Sequence, residues 1–505
     1  MTSTKKSLPN LPHAQHKSVV TRFPPEASGY LHLGHIKALL LNYLYAKKYD
    51  GKIILRFDDT NPDKESPLYE QAILEDIQML GLNCDEITYA SDYFDKIEEL
   101  AIYLIKQSLA YVDFRTKNEI ADGRAKLLPS PYIDSTVEDN LIFFDHMRAG
   151  IISDCCLRAK IDYCSKNGCL RDPVIYRAKH GSHPRQSTKY CIYPTYDFAC
   201  PILDAQQGVT HAMRSVEYSD RNILYEWFLT HLNLKNGPYP IVSEYGKLNF
   251  THTVLSKRKL GQLIDAHLVD GWDDPRLPTL RGIMRKGICI DPLVEYIKLQ
   301  VNSKAIVQLS WDKLWNFNRM HLDRTVNRIY GLDINPITIK LIGDAIPDKV
   351  QLANHPKNPS FGTRTMAITS ELQVDAEDFS TAKIGDRYTL VGLGNATIVC
   401  MDPLTLKYNA ADKDFKSTIK ITWLPNNQDI IKVTAKTFAH LLSKPKMDPG
   451  DNIVDIFNRN SLISKMMLVE NSVKNYQRGS VVQIMRKGYY YIEKMEGDII
   501  LHTVP

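Results

Sequence analysis

A chain of 505 residues with 44% hydrophobic and 24% charged residues has the make-up of a globular protein of about three or four domains. Its formal charge of +5 is too slight for a global positive field, so any contact with nucleic acid must come from local clusters. No stretch approaches the roughly 18 uninterrupted apolar residues of a spanning helix, and nine cysteines with no apolar segment behind the N-terminal lysines point to a reducing compartment, the cytoplasm by default.

Residues 1–16 are polar and proline-containing and read as a flexible tail. From Ser18 the pattern alternates. A β-rich run at 18–23 is ended by Pro24-Pro25, and over 31–49 Ile36, Leu39, Leu40, Tyr43 and Leu44 form an amphipathic helical stripe. Asp50-Gly51 breaks it before a second strand at 53–57. Ser66 as N-cap and Pro67 behind it open another helix, with Ile73, Ile77 and Leu80 on one face. Strand, helix, strand, helix with short loops predicts an α/β, Rossmann-like doubly wound parallel sheet. Residues 115–190 are irregular and read as an insertion between its halves. Strand signals return at 192–198 and 208–213, and a helix from Asp220 carries Ile223, Leu224, Trp227 and Phe228 on one side. The pattern is mainly helical over 260–330. Short β-rich segments at 387–401, 417–423, 430–435, 480–487 and 489–493 then suggest barrels. The predicted division is a tail at 1–16, the first half of the sheet domain at 17–114, the insertion at 115–190, the second half at 191–260, a helical connecting domain at 261–330 and β-barrels at 331–505.

The sharpest local signal is PPEASGYLHLGH at 24–35, which follows the first strand and opens the first helix. A helix N-terminus offers unpaired N–H groups and the positive end of a dipole to an anion, and glycine lets that anion approach the backbone. His32 and His35, three apart, project to one side and can donate to a phosphate as charge develops; the plainer alternative is a pair of helix-capping histidines. A second signal, TVLSKRKL at 253–260, is either a mobile segment that swings ammonium groups onto a triphosphate or a solvated basic turn.

Together, HLGH and VLSKR resemble the HIGH and KMSKS signatures of class I aminoacyl-tRNA synthetases. TRFPPEASGYLHLGH, LRFDDTNPDKES, YPTYDFACPI, GVTHAMRSVEYSDRN, LNFTHTVLSKRKL and VDGWDDPRLPT resemble, in order, the glutamyl/glutaminyl branch in its eukaryotic–archaeal form. Leu33 replaces the commoner isoleucine, and the second signature begins Val254-Leu255 and ends in Arg258 while keeping Ser256-Lys257. The resemblance implies an acceptor-arm-binding insertion, anticodon-binding barrels, ATP with Mg2+, a tRNA partner and, by default, a monomer. Carried onto matching positions, it makes His32, His35 and Lys257 catalytic. Pro25, Glu26, Ala27, Gly34, Leu255 and Ser256 join those three in binding ATP.

Which amino acid is activated must be argued from the pocket. A glutamate side chain needs a fixed cation in a partly dry site, and arginine's fork matches a carboxylate. Arg22 and Arg214 stand at matching positions, and glutaminyl relatives carry an uncharged residue in place of Arg214. The alternative for Arg214 is a surface ion pair with Glu217. Cys200 and the CCLRAK string at 155–160 also resemble the glutamyl side. Asp58 and Tyr196 resemble residues that orient the amino acid, an acidic group suiting its α-ammonium. The resemblance therefore implies activation of L-glutamate as an adenylate and transfer to tRNA(Glu), with glutamine as the alternative substrate. A silent tRNA-binding paralogue would be expected to lose His32, His35 or Lys257. A small nucleotidyltransferase would lack the second signature and the barrels.

Asn61, Arg276, Arg281 and Arg285 are assigned to tRNA, the arginines forming with Lys286 a basic cluster that is otherwise a solvated helix face. Cys155, Cys156, Cys164 and Cys169 lack paired C-x2-C knuckles and read as buried free thiols rather than metal ligands.

Overall fold

The computed structural model describes residues 8–505 apart from 180, 233, 235–238, 302–304, 306 and 344. Packing divides the chain into two compact units, 1–250 with 294–309, and 251–293 with 310–505.

In the first unit β1 (Val20–Phe23), α1 (Leu33–Lys48), β2 (Lys52–Phe57), α2 (Pro67–Met79) and β3 (Glu86–Tyr89) alternate as the pattern predicts. β1 pairs in parallel with β2, and β2 with β3. Gly51 permits the tight turn into β2, because a Cβ there would collide with the Val19 carbonyl. Ser66 caps α2 by accepting from Leu68 N at 3.3 Å, and Pro67 starts the helix.

The inserted part is more regular than its sequence suggests. After α3 (Phe94–Lys106), β4 (Ala110–Asp113), α4 (Lys117–Ala125), α5 (Val137–Arg148), β5 (Cys156–Ala159), β6 (Val174–Ala178) and β7 (Ile192–Pro194) follow, and the four strands form one antiparallel sheet in chain order. Leu157, Ile175, Tyr176 and Tyr193 from this sheet share a core with Phe94, Phe144, Phe198 and Phe228. The strand expected at 192–198 stops after Pro194, because α6 (Tyr196–Gln206) begins there. β8 (His211–Ser215), α7 (Asn222–His231) and β9 (Ile241–Tyr245) complete the return. α7 buries Leu224, Tyr225, Phe228 and Leu229, while Ile223, placed on the buried side by the pattern, is exposed. The buried face is rotated by one residue, which brings the Tyr225 hydroxyl to Asp204.

β8 lies beside β1, since Thr210 N donates to Val20 O at 3.0 Å and Val20 N donates to Thr210 Oγ1 at 2.9 Å. β8 pairs in parallel with β9, so the strand order is β3-β2-β1-β8-β9. The order reverses between β1 and β8. A crevice outside the carboxyl ends at such a reversal is where doubly wound sheets bind their ligands.

Residues 8–16 differ from the flexible tail expected. Leu11 is buried with Val19, Leu41, Tyr45 and Met213. Its N–H donates to the Tyr49 hydroxyl at 2.9 Å, and Pro12 O lies 2.9 Å from His211 Nε2. An apolar anchor and satisfied backbone groups tie this segment down. Residues 1–7 of the predicted tail lie outside the described residues.

The second unit holds α8 (Lys257–Asp265), α9 (Leu280–Arg285) and α10 (Trp311–Thr325) and then β structure. Leu260 and Leu263 of α8 are buried with Leu277, Leu441, Ile453 and Phe457, and His252 N donates to Pro445 O at 2.8 Å. These contacts put the packing boundary at 250 rather than at the 260 drawn from sequence.

Two seven-stranded sheets follow. One orders its strands Arg328–Ile329, Val481–Ile484, Gly488–Lys494, Ile499–Val504, Ile430–Phe438, Leu462–Glu470 and Gly331–Asp333. Its two edges are one segment interrupted only by Tyr330, so a single strand pairs with both sides and brings the sheet round on itself. The other sheet orders Ile419–Ile421, Arg387–Leu390, Gly394–Met401, Leu404–Asn409, Ile337–Ile342, Glu371–Val374 and Trp423–Pro425, and its edges are likewise joined through Thr422 alone. The second barrel is inserted whole into the first.

Candidate active site

The crevice at the β1/β8 reversal is a cleft of about 660 Å3. Arg22 and Phe23 from the end of β1, Pro24, Pro25 and Glu26 behind it, and His35 of α1 line one side. Asp58 and Asn61 follow β2, Tyr196 starts α6, and Met213, Arg214 and Ser215 end β8. Residues far apart in sequence thus converge because parallel strands end together.

His32 is the N-cap of α1. Its Nδ1 accepts from Gly34 N at 3.1 Å and His35 N at 3.4 Å, while His35 Nδ1 accepts from His32 N at 3.2 Å. The two rings stack with centroids 3.7 Å apart. Of the two alternatives drawn from sequence, the helix cap is the one these contacts show. Because each Nδ1 is an acceptor, each ring's proton sits on Nε2. His32→Asn should keep the cap, since the amide oxygen can replace Nδ1, while removing the donor. The expected result is a small change in melting temperature with kcat down by up to about a hundredfold. An equal loss of both would mean that His32 is only a cap.

The two arginines assigned to the amino-acid side chain have opposite environments. Arg22 is 1% exposed and already committed: Nε donates to Asp204 at 3.0 and 3.1 Å, and Nη1 donates to Met213 O at 2.9 Å. Arg56 of β2 donates to the same carboxylate at 2.6 Å, and the Tyr225 hydroxyl does so at 2.8 Å. Burial drives the Asp204 carboxyl towards its neutral form, but the two guanidiniums overcome it and hold the group down at about 2. Arg214 is 4% exposed, and its Nε and Nη1 have no hydrogen-bond partner among the described residues. Its guanidinium carbon lies 4.9 Å from the Tyr225 ring centroid and 5.5 Å from that of Tyr218. The ion pair with Glu217 does not form; Glu217 pairs with Lys247 at 2.7 Å instead. An uncompensated buried cation in a cleft wall is costly unless an anion is brought to it.

Asp58 also lies in the cleft wall. Burial pushes its carboxyl up to about 7, against the Thr60 hydroxyl that donates to it at 3.1 Å and the charge of Arg56. Glu65 beside it is pushed up to about 9 by burial. Asn61 accepts from Lys179 Nζ at 2.6 Å.

Ser256 and Lys257 start α8 in the second unit, preceded by Leu255. The basic cluster assigned to tRNA is largely spent on internal pairs. Arg276 grips Asp274 with Nε and Nη2 at 2.9 and 2.7 Å, and Arg285 pairs with Asp273 and with Glu493, each at 2.9 Å. Arg285 thereby ties α9 to the β structure while Arg276 closes a local pair, so neither presents an unpaired fork to a phosphate. Of the four thiols expected to be buried, Cys155 and Cys156 are, whereas Cys169 is half-buried and Cys164 is exposed. Among the described residues no three His, Cys, Asp or Glu side chains converge on a metal-sized site, and no helix is long and apolar enough to cross a membrane.

Asp204, Arg56 and His183 were missed by the sequence reading. A signal existed for the first two. Arg22 and Arg56 each stand one residue before the end of a β-rich run, and Asp204 stands four residues after Cys200 on α6, so a buried carboxylate shared by both was available.

A parallel sheet with its cleft at the strand-order reversal, a histidine-capped helix opening onto that cleft and two C-terminal barrels define a class I tRNA synthetase architecture. The chain belongs to the class I tRNA synthetases of the E and Q group: that family's catalytic domain matches residues 18–324, and its anticodon-binding domains match 326–410 and 420–493. It is 40% identical over 508 residues to a probable cytoplasmic glutamate–tRNA ligase of Schizosaccharomyces pombe, and 38% identical over 509 residues to the cytoplasmic glutamate–tRNA ligase of Saccharomyces cerevisiae. These matches cover 97% and 98% of this chain and 70% and 71% of the relatives. A bifunctional glutamate/proline–tRNA ligase of Mus musculus is 39% identical over 496 residues, which cover 96% of this chain and 33% of that protein. The chain thus spans about a third of the bifunctional relative and about seven-tenths of the other two.

Proposed function

We propose that the chain ligates L-glutamate to tRNA(Glu) at the expense of ATP, acting as a monomer. The observation that carries the choice of amino acid is Arg214, a buried guanidinium with two unbonded N–H edges in the wall of the cleft. A γ-carboxylate satisfies it as an ion pair; a glutamine amide brings no charge to it.

In this reading the γ-carboxylate lies against Arg214, with Arg22 held behind it by Asp204. The α-ammonium faces Asp58 and the Tyr196 hydroxyl. An oxygen of the α-carboxylate attacks the α-phosphorus of ATP, the bond to the bridging oxygen breaks, and pyrophosphate leaves with that electron pair. His32 and His35 donate through Nε2–H to the oxygens that gain charge, and Lys257 supplies a cation from the second signature. A ribose hydroxyl of the terminal nucleotide then attacks the acyl carbon and AMP departs. Mg2+ bound to ATP would be held by phosphate oxygens and water and would neutralise charge on the phosphates. Asn61, Arg276, Arg281 and Arg285 are the residues assigned to RNA contact by the resemblance.

Exchange of label between pyrophosphate and ATP, run with glutamate and with glutamine in the presence and absence of tRNA(Glu), tests this. Exchange with glutamate supports it; exchange with glutamine alone transfers the reading to the glutaminyl alternative and removes the role of Arg214. Ionisation gives a second check. In the substrate-free chain Asp58 loses its proton near pH 7, and only the carboxylate attracts an ammonium group. kcat/KM for glutamate should therefore fall as pH drops through about 7, and Asp58→Asn should lower it while removing that limb of the profile. An unchanged limb in the variant would assign it to another group.

A further inference from the structure

The loop from Asp58 to Glu65 is gripped from two directions. From the end of β3, Ser91 N and Oγ donate to the two carboxylate oxygens of Asp59 at 2.8 and 2.5 Å. From the segment between β6 and β7, His183 Nε2 meets Asp59 O at 2.8 Å, and Lys179 bonds Asn61 at 2.6 Å and pairs with Asp63. His183 is 1% exposed, between the rings of Phe94 and Tyr193. Its Nδ1 accepts from Arg185 N and Gln186 N, both at 3.1 Å, so the proton is on Nε2 and is donated to Asp59 O.

That bond holds the peptide between Asp59 and Thr60, and the Thr60 hydroxyl is the group that donates to Asp58. Asp58 N also donates to Pro25 O at 3.1 Å, so the same loop is sewn to the approach of the first signature. Two hydrogen bonds and one residue separate an imidazole of the inserted segment from the carboxylate in the cleft. The same Nε2 lies 3.8 Å from a carboxylate oxygen of Asp59 and 3.8 Å from one of Glu65, so the imidazole faces both acidic groups of this loop as well as its peptide.

We infer that His183 and Lys179 are positioning residues that hold Asp58 in place for the α-ammonium of the amino acid, an inference that rests on the proposed glutamate activation. The inserted segment thereby sets the amino-acid site without touching substrate, and a load on that segment reaches Asp58 through one peptide.

The test is pyrophosphate exchange with tRNA(Glu) present throughout, with KM for glutamate and for ATP measured separately in wild type, His183→Asn, His183→Gln and Lys179→Met. Asparagine puts an acceptor where Nδ1 sits and keeps the 183–186 turn, but it is too short to reach Asp59. Glutamine places a donor near Nε2 and restores the reach. Loss of one cross-segment hydrogen bond should raise KM for glutamate about threefold to tenfold in His183→Asn while KM for ATP stays within about twofold. His183→Gln should return most of that loss, and Lys179→Met should raise KM for glutamate by about twofold to threefold. An unchanged KM for glutamate in His183→Asn overturns the inference, as does equal impairment of both substrates in the asparagine and glutamine variants. Should His183→Asn fail to fold, the same split between glutamate and ATP in Lys179→Met decides. A wild-type chain active only with glutamine, or with neither amino acid, overturns the underlying reading instead and is recognised from the wild-type arm alone.

Discussion

Arg214→Met should lower kcat/KM for glutamate by about a hundredfold to several thousandfold and, at the same time, raise the melting temperature of the substrate-free chain. The first effect follows from removing one member of a desolvated charge pair, which costs about 3–5 kcal/mol when the other member is left without its partner. The second follows from the free chain, where Arg214 is 4% exposed with Nε and Nη1 unbonded. Methionine keeps the length of the stem and its packing against Tyr218 and Tyr225 without the cost of burying a charge. A structural arginine would lose stability on the same substitution. Thermal unfolding and exchange kinetics on one preparation separate the cases, and a variant that is both less stable and fully active would remove Arg214 from the site.

Asp204→Asn should destabilise the first unit by about 3–5 kcal/mol, the cost of breaking a buried ion pair from one side. The substitution is nearly isosteric, so packing is kept, but two guanidiniums that shared one carboxylate at 3.0 and 2.6 Å are left as neighbouring buried like charges. The two guanidiniums hold the carboxyl down at about 2, so the wild-type network is charged at neutral pH. Adding Arg56→Met removes one of the two cations, so the double variant should recover part of the loss. Urea unfolding followed by a probe in the first unit is the measurement. If Asp204→Asn alone unfolds at the wild-type midpoint, the guanidiniums have other adequate partners and Asp204 does not organise Arg22.

These two residues also show where sequence is informative. Local signals were read well where one segment contains the whole cause: the Ser66-Pro67 start of α2, the break at Asp50-Gly51 and the histidine pair at the head of α1 all depend on near neighbours. The parallel sheet was legible because its strands and helices alternate with the right periods. The antiparallel sheet of the insertion was not, since β5 and β6 are short and find their partners in β4 and β7 outside the predicted limits. The rotated face of α7 was invisible for a similar reason, being fixed by where Asp204 waits for the Tyr225 hydroxyl. In the basic run at 276–285 the charge is legible from sequence while its partners are not all so; Asp274 is two residues from Arg276, but Glu493 is 208 residues from Arg285. Resemblance placed Arg22 and Arg214 in one cleft, and only the structure distinguishes the satisfied cation from the unsatisfied one.

The nested barrels bear on how the chain reaches its native state. The strand that closes the outer barrel, Arg328–Ile329, pairs with Val481–Ile484, so its partner is made about 150 residues later, after the entire inner barrel between 337 and 425 has been synthesised. The inner barrel has all seven of its strands before the outer one has most of its own. During synthesis the outer closing strand must wait with its ladder edge unpaired while the inner barrel gathers its strands beside it. Inner before outer is therefore the order that the connectivity imposes, and a destabilised inner barrel would lengthen the period in which that waiting edge can find a wrong partner, lowering the yield of native protein even where the finished cleft is intact.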